Sequence, residues 1–70
     1  MVKITQTTHR RLMELVLLIL RQKGKPMSTN ELAKTMGRSW EFTNSLLLAM
    51  KNEGLIHSTV YGQGKFWMLR

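Results

Sequence analysis

Only Arg38 separates Gly37, a glycine suited to end one helix, from Ser39, a serine suited to begin the next. Upstream, Ser28-Thr29-Asn30-Glu31 is a capping box. In such a box the Ser28 hydroxyl accepts from the Glu31 amide, and the Glu31 carboxylate accepts from the Ser28 amide. Met27 and Leu32 stand where a hydrophobic staple would close that end. The box therefore predicts a two-turn helix from Thr29 to about Met36 that buries Leu32, Ala33 and Met36 and stops at Gly37 in the left-handed conformation. Ser39 caps a second helix, which runs on to Gly54.

Two helices with so short a joint must cross steeply. That is the helix-turn-helix arrangement, in which the second member presents its first turns to whatever lies outside. At about 100° per residue, Thr43, Leu46, Leu47 and Met50 share one side of that member, while Glu41, Asn44, Ser45, Leu48, Lys51 and Asn52 share the other. The second set reads as a surface for DNA. Charge supports the reading: 11 Lys and Arg against 4 acidic residues leave +7 on 70 residues, a density that favours polyanions. The plainer alternative is a basic soluble protein with no polyanionic partner.

The rest of the chain should build the support. Residues 1–7 show no periodic pattern and are expected to form a loosely ordered N-terminal arm. Thr7 or Thr8 can cap a first helix from about His9 to Lys23, with Arg21 and Lys23 near its carbonyl end and Gly24 after it. Met13, Val16, Leu17 and Leu20 form its core stripe, but Leu12, Leu15 and Ile19 widen the apolar arc to roughly 200°. Either the helix lies deep in the core, or Leu12, Leu15 and Ile19 meet the same residues of a second subunit in a homodimer. Lys25-Pro26-Met27 is a short extended linker, because proline drives the preceding residue away from helix. Residues 55–60 and 65–70 read as two strands around a three-residue loop, Gly62-Gln63-Gly64. Ile56, Trp67 and Leu69 are expected on the buried face of this hairpin, with His57, Thr59, Tyr61, Gln63 and Lys65 outward.

Several classes are disfavoured. A single domain of this size buries only about 60% of the surface its unfolded chain exposes, so its core is small. With no cysteine, neither a disulfide nor a thiolate metal site can reinforce it. The apolar run from Leu15 to Leu20 is far short of the roughly 20 residues that span a bilayer. That run also begins late, and no small-residue cleavage site follows it, so no signal peptide or membrane association is expected, and the cytoplasm, at the nucleoid, is the expected location. His9 and His57 lie on different elements without a supporting carboxylate pattern, so no metal is expected. No nucleophile, base and orienting group come together, which argues against an enzyme, and no cofactor or small-molecule ligand is implied.

The order helix, extended piece, helix, turn, helix, hairpin, together with Gly24-Lys-Pro-Met-Ser-Thr-Asn-Glu-Leu-Ala-Lys-Thr-Met-Gly37 and Met50-Lys-Asn-Glu-Gly-Leu-Ile56, resembles the winged helix-turn-helix family from Arg11 onward. The resemblance implies an α+β fold of three helices followed by a two-stranded β-hairpin wing. It also implies a transcription regulator that binds double-stranded DNA sequence-specifically. Leu46-Leu47-Leu48, Glu53-Gly54-Leu55 and Phe66-Trp67-Met68-Leu69 are similar to segments of the short bacterial regulators of pilus-operon phase variation, which points to a bacterial, plasmid or phage regulator. Asn44 and Trp67 also resemble the asparagine and tryptophan of Z-DNA-binding winged-helix domains, although Leu48 stands where that group has a tyrosine and Gln63-Gly64-Lys65 where it has prolines.

In such a domain the third helix would lie in the major groove, where each base pair offers its own donors and acceptors. The Asn44 amide can donate to and accept from adenine, Ser45 can serve a base or a phosphate, and Arg38 can reach guanine or the backbone. Ser39, at a helix N-terminus, suits a phosphate. Lys34, Lys51, His57 and Lys65 would meet phosphates, and Tyr61, Gln63 and Lys65 form the tip of the wing, with Gln63 or Lys65 able to enter a minor groove. Glu41 is repelled by phosphates and is assigned to the helix N-terminus, while Trp40 and Phe42 are read as packing residues. The rival class is a protein-interaction adaptor that uses Leu12, Leu15, Ile19 and Leu48 as apolar contacts.

Overall fold

The capping box forms as expected. In the computed structural model, which describes the backbone of residues 2–62 and 64–70 and the side chains of 9–62 and 64–70, the Glu31 amide donates to Ser28 Oγ at 3.1 Å and the Ser28 amide donates to Glu31 Oε1 at 3.1 Å. The chain runs α1 (Val2–Lys23), β1 (Met27–Ser28), α2 (Thr29–Met36), α3 (Trp40–Asn52), β2 (Ile56–Tyr61) and β3 (Gly64–Leu69). These described residues make an α+β fold of three helices and one antiparallel sheet, with strands in the order β1-β3-β2.

Both helices of the tight pair end in the same way. At Gly37, with φ +70°, the Arg38 amide donates to Ala33 O at 3.0 Å and the Gly37 amide to Lys34 O at 3.2 Å. At Gly54, with φ +79°, the Leu55 amide donates to Met50 O and the Gly54 amide to Lys51 O, both at 3.0 Å. This crossed pair of bonds is the Schellman motif, and its left-handed residue is the reason each position is a glycine. Ser39 caps α3, its hydroxyl accepting from the Phe42 amide at 3.1 Å.

Four expectations about the framework need correction. First, α1 does not start at a Thr7 or Thr8 cap: helical backbone continues back to Val2, through the segment read as an arm. Second, Met27 and Ser28 do more than link. They pair with Trp67 and Phe66, so the sheet has three strands where two were expected, and β3 lies in its middle. Third, Gly64 pairs with Tyr61, which shortens the hairpin connection to two positions and makes Gly64 a strand residue. Fourth, Ile19 is 8% exposed and belongs to the core, which leaves it little surface to offer a second subunit; Leu12 is half-buried against the same core. A glutamate at position 19 would unfold the domain instead of splitting a dimer.

The core gathers Val16 and Leu20 from α1, Met27 from β1, Leu32 from α2, Leu46, Leu47 and Met50 from α3, Ile56 from β2 and Trp67 from β3. Each element thus supplies at least one side chain, which is how so short a chain closes a core without disulfides. Trp67 is its largest member and is fully buried. Its indole Nε1 donates to Thr29 Oγ1 at 2.8 Å, joining the middle strand to the first turn of α2 and satisfying a polar group that burial would otherwise strand.

Candidate nucleic-acid interface

Helical spacing sorts α3 as its sequence implies. Thr43, Leu46, Leu47 and Met50 are buried, while Glu41, Ser45, Leu48, Lys51 and Asn52 are exposed and Asn44 is half-buried. The exposed strip is short and polar apart from Leu48, which is 41% exposed. On one flank Lys51 Nζ donates to Ser58 Oγ of β2 at 3.2 Å, tying the last turn of the helix to the sheet. On the other flank Phe42 stacks with His9 of α1, their ring centroids 5.8 Å apart and their planes 14° from parallel. Asn44 and Ser45 therefore sit on a helix held on both sides, so their positions are fixed by the fold before any ligand arrives.

The joint before α3 brings Arg38 into the same region. Its guanidinium carbon lies 5.6 Å from the centroid of the Phe42 ring, within cation–π range, and the side chain remains exposed. Phe42 is thus a packing residue, as its sequence position implies, and also a support that orients Arg38. Ser39 spends one lone pair on the cap and keeps its hydroxyl proton free to donate. Lys34 is exposed in the last turn of α2. Trp40 departs from expectation: read as a packing residue, it is 50% exposed. The sequence did carry a signal for this, since a residue directly after an N-cap lies at the rim of the helix, where little else can cover it.

The hairpin residues do not all face one way. Register pairs Ile56 with Leu69, Ser58 with Trp67 and Val60 with Lys65 on one face, and His57 with Met68, Thr59 with Phe66 and Tyr61 with Gly64 on the other. Lys65 thus shares the face of Trp67, with Nζ 5.5 Å from the Trp67 ring centroid, and is separated by the sheet from His57 and Tyr61. Expecting Lys65, His57 and Tyr61 together was a parity error, because residues 65, 67 and 69 must point to the same side. Tyr61 meets Phe66 edge-on at 5.7 Å on the outer face. Gln63 lies outside the described residues.

The arrangement gathers Lys34, Arg38, Ser39, Asn44, Ser45 and Lys51 on the helical pair, with Lys65 on the helix-facing side of the sheet and His57 and Tyr61 behind it. Among the described residues no three His, Asp or Glu side chains are grouped to hold a metal ion, and no helix is long and apolar enough to cross a membrane. No protein-family model matches the chain, and no curated protein matches it.

Proposed function

We propose that this chain is a winged helix-turn-helix regulator of transcription that binds double-stranded DNA sequence-specifically. α3 enters the major groove, and the β2–β3 hairpin serves as the wing. The observation that carries the reading is the joint at Gly37, Arg38 and Ser39, which turns the polar strip of α3 outward on a protein of charge +7. Asn44 reads adenine, Ser45 and Ser39 meet a base or a phosphate, and Arg38, Lys34, Lys51 and Lys65 supply the electrostatic attraction. His57 and Tyr61, on the far face of the hairpin, contribute least.

Binding to duplexes selected from a random pool tests this reading. Affinity should fall steeply as salt rises, because each neutralised phosphate releases counterions. Asn44→Ala should cost roughly 1 to 3 kcal/mol on the selected site and little on random DNA. Salt-independent binding, or no selected sequence at all, would sink the reading.

A second reading, a protein-interaction adaptor on the same scaffold, draws support from Leu48, an exposed leucine in the middle of the α3 strip. A gel-shift experiment with mixed genomic fragments at near-physiological salt separates the two, since an adaptor retains no DNA. The Z-DNA alternative draws less support, since Trp67 is fully buried and its indole donates to Thr29 inside the core.

A further inference from the structure

Two leucines on the solvent side of α1 are left uncovered by the fold: Leu15 is 37% exposed and Leu18 is 50% exposed. Arg11 and Gln22, both exposed, extend the same stripe at helical spacings of three and four residues. Such spacing is that of a coiled-coil seam, with Leu15 and Leu18 as its two apolar layers. One flank of the seam carries Leu12 and Ile19, which slope into the core. The other carries Glu14 and Arg21, both exposed and one heptad apart.

We propose that this face pairs with α1 of a second copy of the chain, antiparallel about a twofold axis, so that each Leu15 packs on Leu18 of the other copy. Charge selects the direction. Antiparallel packing sets Glu14 beside Arg21 of the second copy, and the symmetry repeats that contact, giving two pairs of opposite sign along one flank. It also sets Arg11 opposite Gln22, whose side-chain oxygen can accept from the guanidinium. Parallel packing in register would instead place Arg11 against Arg11 in the seam itself. The overlap runs from Arg10 to Lys23 in both copies, and Ile19 stays a core residue beneath the contact. This inference goes beyond DNA binding and does not depend on it.

Sedimentation of the protein without DNA tests the proposal. Over a concentration series the 8.2 kDa chain should pass from monomer to dimer, and Leu18→Lys should abolish the association while the helical circular dichroism persists. Glu14→Arg and Arg21→Glu should each weaken self-association by about tenfold, since each turns two attractions into repulsions. An equimolar mixture of those two variants should recover it as a heterodimer, because each then offers the other the opposite sign at both positions. A wild-type chain that stays monomeric throughout, or a Leu18→Lys variant that still dimerises, would overturn the proposal. So would dimerisation indifferent to the charge variants, or association through this face with a protein of different sequence and never with itself. None of these outcomes bears on the selection of duplex DNA, so the two readings fail separately.

Discussion

At the scale of single residues, two buried threonines make opposite contributions. Thr29 accepts the indole proton of Trp67 at 2.8 Å. Thr29→Val keeps the shape but strands a buried donor, so it should destabilise the domain by about 1–3 kcal/mol in urea unfolding. Thr43 is fully buried on α3, and its Oγ1 has no hydrogen-bond partner among the described residues. Thr43→Val removes that unsatisfied hydroxyl at nearly constant volume and helix propensity, so the same measurement should find a stabilisation of about 1 kcal/mol. Neither role is visible along the chain. A threonine at the first position of a helix and one on an apolar stripe look alike until the strand that carries Trp67 is placed against one of them.

At the scale of elements, the termini of α2 and α3 are set locally. Ser28, Glu31 and Ser39 bond within three residues of themselves, and Gly37 and Gly54 close Schellman bonds within five, so the sequence placed these ends correctly. Gly37→Ala would force a side chain into the left-handed region at φ +70°, where no neighbour among the described residues lies within 4 Å of the added carbon. The cost is therefore backbone strain alone, about 1 kcal/mol, and should appear as a lower urea midpoint with an unchanged slope. The start of α1 was misplaced for a complementary reason. Residues 1–7 hold no strong stop signal and no apolar period, and a cap at Thr7 or Thr8 was permitted without being required.

At the scale of the whole molecule, the sheet sorts the candidate contacts. Lys65 lies on the helix-facing side with Trp67, and His57 on the other. If the proposed DNA interface is right, Lys65→Ala should lower the dependence of log affinity on log salt by about one unit, while His57→Ala should leave it unchanged; equal effects would place both faces of the hairpin on DNA. The sequence by itself determined the three helices, the tight joint between the second and third, the outward strip of α3 and the existence of a hairpin. All of these follow from bonds and periodicities spanning a turn or two of chain. Only the tertiary structure decided that Met27 and Ser28 form a third strand, that Ile19 is core while Leu15 and Leu18 are not, and that Lys65 parts company with His57. Those outcomes depend on which segments, distant in sequence, compete to cover the same apolar surface, and a small core settles that competition by geometry that no local pattern encodes.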